Sequence, residues 1–199
     1  TREEKKMGRN IVREHCFPLS LSQLNILNLE RAIPDTSVNN ISTTVRIQGQ
    51  LDFVILQESI QRILEKDASL RTRLIRVDGE VMQYHASYEK EEFPVYDFSS
   101  PGKEGIENWE TAVTREPIPL FGGPLYRFVL FRDGEGSGGV LVKLHHIMSD
   151  GWSQVMLCNK IGQTYLELLA GKEPSLEEAP DYELHVKDEQ DYLKSKRME

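Results

Sequence analysis

Apolar residues recur every three or four positions in several stretches of this chain, and that spacing places them on one face of an α-helix. The pattern is strongest where Leu56, Ile60, Ile63 and Leu64 share a face. Gly171 follows the longest stretch and is a suitable C-cap. The predicted helices cover the residues that follow Ser20 or Ser22 as a cap, and residues 52–66, 103–115, 151–169 and 181–199.

Other stretches alternate between apolar and polar residues, which is typical of β-strands with one buried face. The turn pair Asp78-Gly79 predicts a hairpin between two of them. The glycine-rich residues 133–139 are expected to form a flexible loop. Helices packed on a largely antiparallel sheet form a fold of the α+β class. The predicted strands cover residues 39–48, 70–77, 81–85, 95–98, 125–131 and 140–146.

The composition is that of a folded globular protein, with 39% hydrophobic and 28% charged residues in a length of 199. The net charge is −8, and no run of Lys or Arg is long enough to follow a phosphate backbone, so nucleic acid is not an expected partner. No apolar run approaches the roughly 20 residues that cross a bilayer, so no membrane association is expected. Cys16 and Cys158 lie in apolar segments and are expected to be free, buried thiols of a cytoplasmic protein.

Candidate chemistry lies at the end of the last predicted strand, where His145 and His146 precede a new helix. Histidine takes up and releases protons near neutral pH. Neighbouring side chains of a strand point to opposite faces, so one histidine is expected to be structural and only the other can serve a cleft. One histidine shares its side with Lys143 and Leu141, and the other with Val142. The alternation alone does not say which is functional.

Asp150, just before Gly151, has three interpretations. It can simply cap the helix. It can bind a metal with His146, but no third ligand follows at a recognisable spacing, so no metal is expected. It can also shape the loop through a buried charge pair, which requires an arginine. Because the chain has no nucleophile elbow, Walker loop or dinucleotide-binding glycine motif, direct transfer assisted by a histidine is the simplest enzymatic interpretation.

The nine residues 145–153, His-His-Ile-Met-Ser-Asp-Gly-Trp-Ser, resemble the HHxxxDGWS signature of nonribosomal peptide synthetase condensation domains. Two departures occur in other motifs of that family. Lys66-Asp67-Ala68 stands where Arg-His-Glu is usual, and Asn25 replaces a common arginine. The further segments that resemble the family, in the same order, are residues 17–23, 69–74, 120–127 and 188–193.

This resemblance implies a chloramphenicol-acetyltransferase-like lobe with a mixed, mostly antiparallel sheet. It covers residues 17–199 but only the first half of the family's domain. The implied organisation is a charged lead-in over 1–16, an N-terminal lobe over 17–180, and the start of a helical connection to a C-terminal lobe over 181–199. The family's active-site tunnel runs between two lobes, so one lobe alone is expected to be inactive.

The resemblance also implies an activity. In the family, the amine of an acceptor aminoacyl thioester attacks the carbonyl of a donor acyl or peptidyl thioester, and an amide forms. The implied partners are the C-terminal lobe, donor and acceptor carrier proteins with phosphopantetheine arms, and adenylation domains; the lobe itself binds no cofactor. The alternatives are a non-catalytic docking lobe and a stand-alone acyltransferase that uses CoA thioesters.

By the same resemblance the catalytic residues are His146, Asp150 and Gly151. His146 is the residue in the cleft, either as a base or as a positioning group. Asp150 shapes the loop. Gly151 lets the backbone approach the substrate, and its N–H at a helix start can stabilise an oxyanion.

Three further residues are expected to be structural at the site. His145 is the buried neighbour of the functional histidine. Arg71 is a candidate charge partner of Asp150, with Arg127 as a second candidate. Trp152 is expected to pack or cap rather than react.

Overall fold

The computed structural model describes residues 15–99, 105–133, 136–177 and 179–195. The lead-in predicted over 1–16 lies outside these ranges up to residue 14, as do residues 103–104 and 196–199 of two predicted helices. The helices in the described part are α1 (Leu21–Ala32), α2 (Phe53–Lys66), α3 (Ile106–Arg115), α4 (Gly151–Leu169) and α5 (Tyr182–Lys194). The strands are β1 (Phe17–Pro18), β2 (Asn40–Ile47), β3 (Thr72–Val77), β4 (Glu80–His85), β5 (Val95–Asp97), β6 (Tyr126–Arg132) and β7 (Gly138–His145).

These strands form two sheets. The larger has the order β2-β7-β6-β5 and the smaller the order β1-β4-β3. Neighbouring strands are antiparallel except β5 and β6, which are parallel. The mixed, mostly antiparallel α+β fold predicted from the sequence is therefore confirmed.

The main core lies between the larger sheet and helices α2 and α4. Strand β7 directs Val140, Val142 and Leu144 into it. Leu141 faces the opposite side of the sheet, where Trp109 of α3 packs. The predicted apolar face of α2 is confirmed, since Leu56, Ile60, Ile63 and Leu64 are all buried in this core.

On the other side of the sheet, a buried lysine contacts the end of α3. The Lys143 side chain is fully buried, and its ammonium group donates to the carbonyl oxygens of Val113 (2.8 Å), Thr114 (3.0 Å) and Glu116. These carbonyls end α3 and have no partner within the helix. Burial lowers the pKa of Lys143 to about 8. Lys143 thus joins the end of α3 to the centre of the sheet.

A second apolar cluster joins the smaller sheet to the larger one through α1. Leu27 of α1 packs there with Leu74 of β3, and Leu125 and Ile147 come from the ends of β6 and β7. Helix α5 also contacts α1, because the Glu189 carboxylate accepts the Leu21 N–H at 2.9 Å. Acidic groups are favoured at the positive N-terminus of a helix.

Several predicted boundaries were wrong. Residues 68–71 form a 3-10 helix, so β3 begins at Thr72 rather than Leu70. The cause is Asp67, whose carboxylate accepts the Ser69 N–H at 3.1 Å and caps that turn. Helix α3 begins at Ile106.

The described part of the glycine-rich segment, which leaves out residues 134–135, also differs from its prediction. Gly138 and Gly139 are buried in β7 rather than part of a flexible loop. A Cβ at Gly139 would lie 1.9 Å from the Val45 carbonyl oxygen of the neighbouring strand. Glycine is therefore needed there for close approach of the strands. The hairpin prediction is confirmed, with positive φ at Asp78 (51°) and Gly79 (92°).

Two smaller findings concern the composition. None of the described helices is both long and apolar enough to span a membrane. Cys158 is a free, half-buried thiol, and burial raises its pKa.

Candidate functional site

The candidate site begins where β7 ends, at a buried histidine. His145 is fully buried, and its backbone N–H donates to the Leu125 carbonyl at 2.8 Å. Its ring Nδ1 lies 3.1 Å from the backbone nitrogen of Ile147 and accepts that N–H. The neutral ring therefore carries its proton on Nε2. His145 supports the turn that follows the strand.

Burial also fixes the charge of His145. Desolvation, with a smaller contribution from the neighbouring His146, lowers its pKa to about 4. The ring is therefore neutral at pH 7. Its Nε2 lies 3.7 Å from Oε2 of Glu30, which is a contact between a neutral ring and a carboxylate rather than an ion pair.

His146 is the first residue after the strand, and its side chain is exposed. Its backbone N–H donates to the Asn39 carbonyl at 2.6 Å, which ties the turn to the residue before β2. The two histidines thus differ in exposure, with His145 buried and His146 exposed. His146 is the one that a ligand can reach.

The turn after His146 is held from below by a glutamine. Ile147 is buried, and its carbonyl accepts a hydrogen bond from Gln23 Nε2 at 3.0 Å. Gln23 is itself fixed by paired amide bonds with Gln83 at 2.8 and 2.7 Å. The sequence identified the segment that contains Gln23 but not this contact. The Ser-x-x-Gln spacing with Ser20 signals a capping box, whereas a bond 124 positions away leaves no local signal.

Asp150 is an exposed N-cap of α4. Its Oδ1 accepts the Ser153 N–H at 2.8 Å. The hydrogen bonds from Ser153 hold the pKa of Asp150 below its usual value. Of the three interpretations, the N-cap is the one observed.

The arginine partners expected for Asp150 are engaged elsewhere. Arg71 donates to backbone carbonyls, from Nε to Ala86 and from Nη1 to Glu65, both at 2.8 Å. It therefore caps the C-terminal end of α2. Arg127 pairs with Glu116. Within the described ranges no arginine lies within ion-pair distance of Asp150, so the expected buried charge pair is not formed.

The start of α4 is open. Gly151 is its first residue, and apart from its chain neighbours and the backbone of α4 no described atom lies within 4 Å of the point where a Cβ would stand. Trp152 is 73% exposed, so the packing expected of it does not occur against the described residues. Both residues are exposed.

A cavity of about 790 Å³ lies next to this turn. It is bounded by α4, the 3-10 helix and residues 175–177 and 179–180. Met148, Ser149 and Ser153 line it from the motif, and Lys160 lines it from α4. Lys160 forms an ion pair with Asp67 at 3.6 Å. Among the described side chains, no group of three or more His, Cys, Asp or Glu is placed to hold a metal ion.

The site is thus a solvent-facing histidine on a rigid turn before a helix N-terminus, carried by an α+β lobe. A sequence profile described as Condensation domain matches residues 13–199. The chain therefore belongs to the condensation domain family.

Two relatives are nonribosomal peptide synthetases. A linear gramicidin synthase from Brevibacillus parabrevis is 35% identical over 174 residues, which are 85% of this chain and 2% of that protein. A surfactin synthase from Bacillus subtilis (strain 168) is 32% identical over 189 residues, 92% of this chain and 5% of that protein. The chain thus spans only a small part of these relatives.

Solved condensation domains share the fold. The starter condensation domain of rhizomide synthetase RzmA superposes with a TM-score of 0.81 at 21% identity, over 90% of this chain and 44% of that one. The first condensation domain of the CDA synthetase gives 0.78 at 20% identity, over 92% and 47%. The chain corresponds to just under half of each structure.

The buried His145 makes stability depend on pH. Its pKa of about 4 in the folded chain lies below the unfolded value of 6.5, so between these values the unfolded chain binds a proton that the folded chain excludes. Stability is expected to be full above pH 6.5 and to fall by about 3 kcal/mol towards pH 4. Urea unfolding across this range measures the loss. The loss of unfolding free energy should be smaller in His145→Asn, which keeps an acceptor for the Ile147 N–H. The same loss should persist in His146→Asn. An equal dependence of stability on pH in wild type and both variants would contradict the assignment of the low pKa to His145.

The Asp150 cap gives a second stability prediction. Asp150→Ala removes the acceptor of the Ser153 N–H and is expected to lower the free energy of unfolding by about 1 kcal/mol at neutral pH. Asp150→Asn keeps a capping oxygen and should lose only a small part of that. Because the folded pKa is lowered, the carboxylate's advantage is present at neutral pH and disappears as pH falls below its usual pKa. Thermal unfolding compares the variants; equal Tm values for wild type and Asp150→Ala would refute the role.

Proposed function

We propose that this chain forms the N-terminal lobe of a condensation domain that makes amide bonds in nonribosomal peptide synthesis. The donor is an acyl or peptidyl thioester and the acceptor an aminoacyl thioester, both on carrier proteins. The observation that carries the proposal is the exposed His146 at the end of β7, directly before α4, in a chain of this family.

His146 acts on the acceptor amine in this proposal. The amine attacks the donor carbonyl carbon, the C–N bond forms and the C–S bond breaks. The proton that the nitrogen loses ends on the sulfur, so the donor arm leaves as a thiol. A thioester is already activated, so the protein chiefly positions two groups and handles one proton. The exposed ring of His146 can reach such a substrate, whereas the ring of His145 is buried.

Gly151 stabilises the oxyanion in this proposal. It is the first residue of α4, where backbone N–H groups have no acceptor in the preceding turn. A carbonyl oxygen that gains negative charge during attack is stabilised by such a group and by the helix dipole. The open space in front of Gly151 supports a close approach of the substrate.

A second lobe completes the site in this proposal. The chain corresponds to just under half of the solved condensation domains, and α4 exposes Trp152, Val155 and Met156 beside the motif. We expect the second lobe to form the opposite wall of the tunnel. The lead-in (1–16), lobe (17–180) and connection (181–199) remain the proposed division.

The proposed partners are donor and acceptor carrier proteins, which deliver substrates on phosphopantetheine arms, and the adenylation domains that load them. The lobe needs no cofactor of its own for this transfer, because the thioester supplies the activation.

Reconstitution tests this function. The chain is mixed with a separately produced C-terminal lobe and loaded donor and acceptor carrier proteins, and amide product is measured in a single turnover by mass spectrometry. Product is expected with the wild-type lobe, and His146→Ala should lower its rate by about 100-fold or more, as for loss of a general base. Wild-type transfer by His146→Ala would exclude the role of His146.

Trp152 reports whether the lobes associate. With Trp109→Phe removing the buried indole, the emission of exposed Trp152 should shift to shorter wavelength when the second lobe covers it. Association without any product would instead support a docking lobe without catalysis. Arg31→Ala, on the exposed surface of α1, is the control for handling and should transfer at the wild-type rate.

Gly151→Ala separates activity from stability. Apart from its chain neighbours and the backbone of α4, no described atom lies within 4 Å of the added Cβ, and the backbone has no positive φ, so the Tm should stay within error of wild type. The methyl group enters the space proposed for the substrate, so the transfer rate is expected to fall at least about tenfold. Undiminished transfer would argue against close approach at Gly151.

A further inference from the structure

A carboxylate from helix α1 lies beneath the two histidines of the motif. Oε2 of Glu30 is 2.6 Å from Nδ2 of Asn39 and 3.7 Å from Nε2 of His145. Asn39 is 2% exposed and His145 fully buried. One oxygen atom of Glu30 therefore faces two buried polar side chains.

Each of these side chains leads to a different part of the motif. The backbone carbonyl of Asn39 accepts the His146 N–H at 2.6 Å. The His145 ring accepts the Ile147 N–H at Nδ1, so its proton is on Nε2, the ring atom that lies 3.7 Å from Oε2 of Glu30. Glu30 thus contacts Asn39, whose carbonyl accepts the His146 N–H. It also contacts His145, whose ring supports the turn after His146.

The Nε2–H of His145 has no hydrogen-bond acceptor among the described residues. It is buried and makes no hydrogen bond in the described structure, and Oε2 of Glu30 is the acidic oxygen that faces it. A buried donor without an acceptor destabilises the folded chain, and a nearby carboxylate reduces that penalty. Among the described residues, the ion pairs include none between Glu30 and a Lys or Arg, and its Oε2 lies 2.6 Å from Asn39 Nδ2 and 3.7 Å from His145 Nε2.

We propose that Glu30 is a positioning residue for His146. Through Asn39 it fixes the carbonyl that holds the His146 backbone, and through His145 it fixes the ring that supports the following turn. Glu30 does not touch the substrate. The inference rests on the proposed function, since it assigns to Glu30 the geometry of the residue proposed to handle the proton.

Kinetics in the reconstituted domain test this role. Glu30→Ala is expected to lower the single-turnover rate by about tenfold or more while leaving the KM for the carrier-bound acceptor unchanged, because the turn is displaced but the binding surface is not. Glu30→Gln should recover most of the rate, since both contacts use the same oxygen and an amide oxygen can replace it. Arg31→Ala, the next residue on α1, is the matched control.

A double-mutant cycle tests the link through Asn39. If Glu30 acts through this side chain, Asn39→Ala should also slow transfer, and the double variant should be little slower than the single ones. Additive losses would contradict that route.

Histidine NMR of this chain alone gives a readout that does not depend on activity. In Glu30→Ala, the His145 Nε2 and the His146 backbone amide resonances should both shift. In Glu30→Gln, the His146 amide resonance should return to its wild-type position. Unchanged resonances, or a lower Tm with neither a rate effect nor rescue by Gln, would overturn the proposal. If His146→Ala transfers normally, the proposed function fails; if His146→Ala is inactive but Glu30→Ala is normal, only the role of Glu30 fails.

Discussion

The double-sided pairing of β7 is the constraint on which the site depends. All eight residues from Gly138 to His145 are buried, and the strand is hydrogen-bonded to β2 on one side and β6 on the other. A strand held in this way cannot slip by one position without turning every side chain to the wrong face. The end of the strand is therefore fixed. His145 is its last buried residue, and the next residue, His146, is placed in solvent.

Hydrogen bonds rather than charge pairs hold the turn that follows. Asn39, Gln23 and the ring of His145 each satisfy one backbone group of that turn, and Asp150 caps the helix after it. Such contacts are directional, whereas exposed ion pairs contribute little to stability. A rigid turn in front of a helix N-terminus suits a reaction between activated groups, in which positioning is the larger part of the task.

The open side of the lobe is as informative as its core. Trp152 and its neighbours on α4 are exposed beside the motif, and the solved condensation domains extend over about twice the length of this chain. An apolar surface next to a candidate catalytic residue fits a site whose second wall comes from another lobe. The proposed contribution of this chain is one wall: a proton-handling histidine, an open helix start and a supporting carboxylate beneath them.

The sequence by itself determined the local features. Periodicity predicted helices α2 and α4, the Asp-Gly pair predicted the hairpin, and strand alternation predicted that the two histidines would have different roles, because these properties depend on residues a few positions apart. Resemblance to a known motif added the family. Tertiary structure alone decided the partners. Arg71 caps the C-terminal end of α2 instead of pairing with Asp150, and Gly139 is needed for the close approach of β2. Glu30 and Gln23 contact the motif from α1. These contacts join residues far apart in the sequence, or depend on how two elements pack, and no local pattern encodes that distance.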